Sequence, residues 1–229
     1  MITKNKKNKK LVIVGNGETA EWAYLYFTND SQYEVVAFAV EKDYIVDTKQ
    51  RGLDVVPVEN MNEIFSPIDY EAFIAVSSTK LNTLRTRLYA YVKSLGYTMA
   101  SYISTRAYIG YEVEIGDNCF IMENNVIQSF AKIGNNVVLW SGNHIGHSSI
   151  IHDNVFISSH VAISGFCEIG ENSFVGVNTS IANNVKIGEY CLIGLGCIIA
   201  KDVEPNSIMK MPYAQKYVIT AKRFNGIGE

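Results

Sequence analysis

The chain has 229 residues, of which 48% are hydrophobic and 19% are charged, with 23 acidic against 20 basic side chains. This length suits one large domain or two small ones, and the apolar content excludes an intrinsically disordered chain. The net charge is −3, and five lysines lie in the first ten residues, so the remainder carries −3 − 5 = −8. A body with this charge is not expected to bind nucleic acid.

The basic start, residues 1–10, is predicted to be a solvated arm, because it lacks the apolar stretch of a signal peptide. No segment has the length and hydrophobicity of a membrane span, so membrane insertion is not expected. Four cysteines without an export signal favour a reducing cytoplasm and a role other than disulfide bonding.

Residues 11–100 alternate short apolar runs with segments of helical spacing. The strand-like runs are 11–15, 34–40, 54–58 and 72–76, and the helix-like segments are 18–27, 61–65 and 81–95. Strands that are apolar on both faces and alternate with helices are typical of a parallel sheet covered on both sides. The sequence therefore predicts a small Rossmann-like α/β domain over residues 11–100.

A period of six residues begins near residue 101. Every sixth residue from Ile103 to Ile199 is aliphatic, seventeen positions without an exception. This spacing is the hexapeptide repeat of a parallel β-helix. Asparagines recur every 18 residues at Asn118, Asn136, Asn154 and Asn172, which sets three hexapeptides per coil. A β-helix is therefore predicted over residues 101–203, ending where Pro205 breaks the period, with a cap or tail over 204–229.

Three hexapeptides per coil make a triangular prism, and small residues are expected inside it and at its corners. Each cysteine lies two residues before an aliphatic position, in a slot otherwise filled by small side chains, and is predicted to pack inside. The residue after the aliphatic position is glycine eight times, which predicts corners of positive φ. Asparagine tolerates the same left-handed conformation.

The residue before each aliphatic position points outward, and the three walls differ. One wall carries Phe120, Val138, Phe156, Phe174 and Leu192, an apolar stripe that is not expected to face water. This stripe predicts that the prism packs against copies of itself, with closed three-fold association as the leading hypothesis.

Two motifs could carry chemistry. All four histidines fall within residues 144–160, and His144 and His147 are the best active-site candidates, since a neutral imidazole is a useful base. Gly15-Asn16-Gly17 follows a strand and precedes a helix, which lets backbone amides approach a phosphate. The third glycine of the dinucleotide fingerprint is Ala20, so a mononucleotide diphosphate fits better than NAD, and a plain strand–helix turn is the alternative.

Lysines, among them Lys201 and Lys210, reappear at the end of the predicted β-helix, in which acidic residues outnumber basic ones. This cluster predicts an anionic ligand at that end, and a solvated C-terminal segment is the alternative.

The order of these parts, from LVIVGNG at residue 11 to KDVEPNSIMKMPYAQ at residue 201, resembles bacterial nucleotide-sugar acetyltransferases of the PglD/NeuD-like type. The resemblance implies a nucleotide-sugar-binding domain, a left-handed β-helix and a homotrimer that uses acetyl-CoA. It also implies a cytoplasmic role in surface glycan (lipopolysaccharide) biosynthesis, on a nucleotide-linked amino sugar such as a 4-amino deoxysugar.

Residue by residue, the resemblance places the catalytic base at His147, with His144 as the alternative base or a substrate contact. It places the nucleotide at Gly15, Asn16 and Gly17. The implied acetyl-CoA contacts are Gly165, Gly176, Gly194, Lys201 and Lys210. Ser148 stands where the family often has a carboxylate, and Glu18-Thr19 replaces the His-Gly of its nucleotide turn.

The expected reaction is direct attack of the amine on the thioester, with His147 as general base and the Gly165 N–H as oxyanion donor. No metal is required. Three alternatives remain: an O-acetyltransferase, a zinc protein like the β-helical carbonic anhydrases with His147 and His152 as ligands, and an inactive sugar-nucleotide-binding trimer.

Overall fold

The computed structural model describes residues 7–212 and 214–227. Residues 1–6 of the predicted basic arm, and Tyr213, Gly228 and Glu229 of the predicted tail, lie outside the described residues.

The first domain is a sheet of order β3-β4-β2-β1-β5, in which only β3 runs antiparallel to its neighbour. Its strands are β1 (Lys9–Val14), β2 (Tyr33–Val40), β3 (Lys49–Gln50), β4 (Leu53–Pro57) and β5 (Tyr70–Ile74). Its α-helices are α1 (Glu18–Asn29), α2 (Met61–Ile64) and α3 (Thr83–Ser94). Separate apolar cores lie on the two faces of the sheet, which explains strands that are apolar at every position.

The second domain is a β-helix of two-residue parallel strands stacked in three walls. The domain wall holds β6 (Tyr102–Ile103), β9 (Phe120–Ile121), β12 (Val138–Leu139), β15 (Phe156–Ile157), β18 (Phe174–Val175), β21 (Leu192–Ile193) and β23 (Ile208–Met209). The uncharged wall holds β7 (Tyr108–Ile109), β10 (Val126–Ile127), β13 (His144–Ile145), β16 (Ala162–Ile163), β19 (Ser180–Ile181) and β22 (Ile198–Ile199). The charged wall holds β8 (Glu114–Ile115), β11 (Lys132–Ile133), β14 (Ile150–Ile151), β17 (Glu168–Ile169) and β20 (Lys186–Ile187).

Three edges join these walls, and we name each by a residue type it carries. The histidine edge, with His147, joins the uncharged wall to the charged wall. The asparagine edge, with Asn118 and Asn136, joins the charged wall to the domain wall. The glycine edge, with Gly176 and Gly194, joins the domain wall to the uncharged wall.

The interior of the prism confirms the six-residue period. The aliphatic residues from Ile121 to Ile199 form one buried core with Cys119, Cys167, Cys191 and Cys197. All four cysteines are free and buried, and burial raises the pKa of the Cys119 thiol to about 12. The predicted packing role of the cysteines is confirmed.

The corner glycines differ from the prediction. None of the eight glycines that follow an aliphatic position has a positive φ. A Cβ on any of them would lie 2.3–3.0 Å from an atom of the next coil, so glycine is needed there for stacking. The left-handed conformation falls instead on residues such as Asn118 and Asn136, at φ +52° and +57°. The asparagine prediction is therefore correct, and the glycine prediction is wrong.

The apolar stripe also has a different partner from the one expected. Phe120, Val138 and Phe156 are buried in a core that they share with Phe27 and Phe73 of the α/β domain. The chain's own first domain therefore covers most of the stripe, and the stripe gives no reason for self-association. This is why we name that wall the domain wall.

Polar contacts fix the two domains along the asparagine edge. The fully buried guanidinium of Arg85, from α3, donates to the carbonyl oxygens of Ile74 (2.8 Å), Asn118 (2.9 Å) and Asn136 (3.4 Å). The Asn118 side chain accepts from the Ile74 N–H at 2.8 Å and donates to the Asn136 side chain at 2.7 Å. These bonds satisfy backbone groups that burial would otherwise leave unpaired.

The shaft continues beyond Pro205, where the repeat was predicted to end, because β23 pairs with β21 in the domain wall. The described residues after 210 are exposed and include the single-turn helix α4 (Ala221–Phe224). No helix among the described residues is both long and apolar enough to cross a bilayer.

Candidate functional site

The four histidines, adjacent in sequence, lie on four different surfaces. His144 is half-buried on the uncharged wall, and His147 is exposed on the histidine edge. His152 lies on the asparagine edge and His160 on the glycine edge. The coil separates residues that the sequence places together: His144 lies on the uncharged wall, between the edge that carries His147 and the edge that carries His160.

His147 lies directly over Gly165 of the next coil. A Cβ on Gly165 would lie 2.7 Å from Nε2 and 2.8 Å from Cε1 of His147, so any side chain there would displace the imidazole. The ring of Phe166 meets the His147 ring nearly at right angles, with centroids 4.7 Å apart. The backbone N–H of His147 donates to Oε1 of Gln128 at 2.9 Å. These contacts fix the position of the exposed His147 imidazole at this corner.

The predicted oxyanion donor is already bonded. The N–H of Gly165 donates to Oδ1 of Asn183 at 3.0 Å, so in this structure it is not available to an oxyanion. Asn183 is exposed, and its Nδ2 donates to no acceptor in the described part of the chain. The side-chain amide of Asn183 is thus a donor beside Gly165, the residue that His147 overlies, and it was missed in the sequence. Its position 36 residues after His147, which is two coils of 18, was the available signal.

The predicted cofactor residues fall on two edges. His147, Gly165, Asn183 and Lys201 follow one another every 18 residues on the histidine edge. Gly176, Gly194 and Lys210 lie on the glycine edge, so one chain does not bring them to His147. Stacking already explains Gly176, because its Cβ would lie 2.7 Å from the backbone nitrogen of Leu195.

The histidine pair of the zinc alternative is also divided. His152, on the asparagine edge, pairs through Nε2 with Oε1 of Glu168 at 2.8 Å, and Lys186 lies 3.2 Å from the other carboxylate oxygen. These two hydrogen bonds lower the pKa of Glu168. Within residues 7–212 and 214–227, no group of three His, Cys, Asp or Glu side chains is arranged to hold a metal ion.

The Gly15-Asn16-Gly17 turn lines a cavity of about 450 Å³ at the carboxyl ends of β1, β2 and β5. Gly15 has φ +129°, and its Cβ would lie 2.5 Å from the carbonyl oxygen of Ala75, so glycine is required by both conformation and space. A Cβ on Gly17 would meet nothing within 4 Å, so this residue leaves the approach to α1 open. Ligands of open α/β sheets bind at this edge.

Two charged residues of this cavity were missed in the sequence. Arg87 of α3 binds both carboxylate oxygens of Glu41, each at 2.9 Å, and these hydrogen bonds lower the pKa of Glu41. Glu41 directly follows β2, the position from which an acidic residue binds ribose in many nucleotide-binding sheets. That position after the second strand was the signal available in the sequence.

The cavity and His147 lie on different sides of the molecule. The α/β domain contacts the domain wall and the edges that border it, through residues such as Arg85 and Tyr26. His147 lies on the third edge, which is opposite the domain wall.

Comparison with known families agrees with the repeat. Residues 130–165 and 166–201 match the family described as bacterial transferase hexapeptide (six repeats). No curated protein sequence matches the chain.

Solved structures match over most of the chain. The acetyltransferase domain of PglB from Neisseria gonorrhoeae FA1090 is 21% identical, with a TM-score of 0.74, over 88% of this chain and 96% of that one. A mutant of perosamine N-acetyltransferase from Caulobacter crescentus, in complex with CoA and GDP-perosamine, is 20% identical, with a TM-score of 0.76, over 87% and 92%. WeeI from Acinetobacter baumannii AYE is 21% identical, with a TM-score of 0.73, over 88% and 96%.

These likenesses confirm the predicted order of domains and the left-handed winding of the β-helix. The chain carries the bacterial transferase hexapeptide repeat and has the two-domain fold of these acetyltransferase structures.

Proposed function

We propose that the protein is an acetyl-CoA-dependent N-acetyltransferase that acts on a nucleotide-linked amino sugar. The observation that carries this proposal is the exposed His147 imidazole, held directly over Gly165 on an edge of the hexapeptide prism. Similar folds with bound acetyl-CoA, or with CoA and GDP-perosamine, support the choice of both substrates.

The reaction needs one proton acceptor and one hydrogen-bond donor. As the amine attacks the thioester carbonyl, the C–N bond forms and Nε2 of His147 takes a proton from the amine. The tetrahedral oxyanion accepts from Nδ2 of Asn183, and the C–S bond then breaks to release CoA thiolate, which takes the proton from the His147 imidazolium and restores the neutral base. General base catalysis of this kind contributes about 10²–10⁴ in rate.

Acetyl-CoA lies along the histidine edge in this proposal. Lys201 lies three coils beyond His147, which is about 14 Å at ~4.8 Å per coil. That length allows the thioester to reach His147 while a phosphate of CoA meets the Lys201 ammonium group.

The nucleotide occupies the cavity of the α/β domain. Its diphosphate meets the open N-terminus of the 12-residue helix α1 at Gly17. The guanidinium of Arg87 leaves the Glu41 carboxylate and binds the phosphate. Glu41 is then free to accept from the ribose hydroxyls.

Because the cavity and His147 of one chain lie on different sides of the prism, we propose that the site is completed in a homotrimer. The uncharged wall carries no Asp, Glu, Lys or Arg, and Ile198 on it is 74% exposed. If this wall faces a three-fold axis, the histidine edge of one copy lies beside the glycine edge of the next. Gly176, Gly194 and Lys210 of the partner subunit then form the second side of the acetyl-CoA groove, next to the partner's α/β domain.

The trimer makes a testable prediction. In solution the protein should have a mass three times 25.5 kDa by light scattering. Ala162→Arg, an exposed position on the uncharged wall, should give monomers, since three copies would bring like charges together at the axis. Ile150→Arg, on the charged wall, is the matched control and should stay trimeric. A monomeric wild type, or dissociation only in the Ile150 variant, would contradict this arrangement.

The activity is tested by release of free thiol from acetyl-CoA with a panel of nucleotide-linked amino sugars. We expect turnover with at least one UDP-, dTDP- or GDP-linked amino sugar and none with its N-acetylated form. Turnover only with a hydroxylated acceptor would favour O-acetyl transfer.

Stoichiometric zinc in the purified protein would instead favour the carbonic-anhydrase-like alternative. Binding of the nucleotide sugar without any turnover would favour an inactive trimer. We place the reaction in surface glycan synthesis. We place it in the cytoplasm because a reducing compartment keeps the four buried cysteines as free thiols.

A further inference from the structure

The left-handed corner positions of the histidine edge include two phenylalanines. Along this edge the residues with positive φ are Glu112, Phe130, Ser148, Phe166 and Asn184, one per coil. Phe130 has φ +66° and Phe166 has φ +60°. The equivalent positions of the asparagine edge are asparagine, the residue that this conformation suits, in four successive coils, and Tyr190 in the fifth. A bulky side chain there is sterically disfavoured and calls for a reason.

Burial within the chain does not supply that reason. The Phe130 side chain is 54% exposed and that of Phe166 is 57% exposed. Both phenylalanines therefore combine an unfavourable backbone with an exposed aromatic surface, so their contribution is not to the stability of the single chain.

Both residues flank the coil that carries His147. Phe166 follows Gly165, donates its N–H to the carbonyl oxygen of His147 at 2.9 Å, and has its ring against the imidazole. Phe130 lies one coil to the other side, where Ser148 donates its N–H to the carbonyl oxygen of the neighbouring Ser129. The two phenylalanine corners are two coils apart, about 10 Å, with Ser148 between them.

This inference rests on the proposed acetyl transfer. We propose that Phe130 and Phe166 bracket the acceptor at His147, with Phe130 packing against the apolar face of the amino sugar as a specificity-determining residue and Phe166 acting as a positioning residue for the imidazole. The acetyl-CoA row of Gly165, Asn183 and Lys201 runs away from Phe130, so Phe130 faces the acceptor side. A sugar ring with few hydroxyls, such as a deoxysugar, offers the apolar C–H surface that an aromatic ring binds.

The test exchanges each phenylalanine for the residue that the backbone prefers. Phe130→Asn should raise the melting temperature by about 2–4 °C, because asparagine suits the left-handed conformation. It should also raise KM for the amino-sugar nucleotide by about tenfold and leave KM for acetyl-CoA within about twofold. Glu112→Asn, at the equivalent corner one coil further from His147, is the matched control and should raise the melting temperature without a kinetic change.

Phe166→Asn should instead lower kcat by about tenfold with acceptor KM nearly unchanged, and Phe166→Tyr should restore most of kcat because its ring can still support the imidazole. An unchanged acceptor KM in Phe130→Asn, a change confined to KM for acetyl-CoA, or dissociation of the trimer would overturn this inference while leaving the acetyl transfer in place. Absence of turnover in the wild type with every acceptor would overturn both.

Discussion

His147→Ala should lower kcat by at least about a hundredfold, because the amine then has no base to take its proton during attack on the thioester. Far-ultraviolet circular dichroism and light scattering should show the fold and the trimer unchanged, since the imidazole is exposed and makes no core contact. Thiol release at saturating acetyl-CoA and acceptor measures the effect.

The chain offers a matched control for this variant. His152 lies on the asparagine edge, which borders neither the uncharged wall nor the proposed acetyl-CoA groove, and its Nε2 pairs with Oε1 of Glu168 at 2.8 Å. His152→Ala should therefore keep kcat within about threefold of the wild type. Near-normal activity in the His147 variant would move the role of base to His144, on the adjacent wall.

Arg85→Met should reduce the free energy of unfolding by about 3 kcal/mol or more, the largest stability effect that we expect. The guanidinium is fully buried, its Cζ lies 5.8 Å from the centroid of the Phe73 ring, and it donates to three carbonyl oxygens from both domains. Burial lowers the pKa of Arg85 to about 10, so the side chain stays charged at neutral pH. Methionine fills a similar volume but leaves the three acceptors unpaired.

Urea denaturation measures this change, followed by circular dichroism for the whole chain and by tryptophan fluorescence for Trp22 in the α/β domain and Trp140 in the β-helix. Both signals should shift to lower urea, because Arg85 joins the domains. Arg87→Met, two residues along α3, is the control: its ion pair with Glu41 is exposed and contributes at most about 1 kcal/mol. Equal stability of the two variants would show that the three carbonyl contacts of Arg85 do not hold the domains together.

The repeat could be derived from the sequence because it is local. One aliphatic residue every six positions decides which side chain enters the prism, whatever lies outside it, so the interior position of Cys119 and Cys167 followed directly. The asparagine corners followed in the same way, since a residue's tolerance of positive φ is a property of its own backbone. The strands of the α/β domain were equally readable, because burial on both faces leaves apolar residues at every position.

The repeat does not predict what covers each wall of the prism. A repeat shows that Phe120 and Phe156 point outward, but it does not show whether a second copy or the chain's own first domain meets them, since either would bury the same apolar area. The fold likewise spread four neighbouring histidines over one wall and three edges, because each hexapeptide turns the chain to a new wall. A hydrogen bond between coils places Asn183 beside Gly165 and engages the N–H that was predicted as the oxyanion donor. The six-residue period is enough to predict the prism and to place His147 on one of its edges. What surrounds that histidine depends on contacts between residues 18 or more positions apart, because those contacts form only when the coils and domains pack.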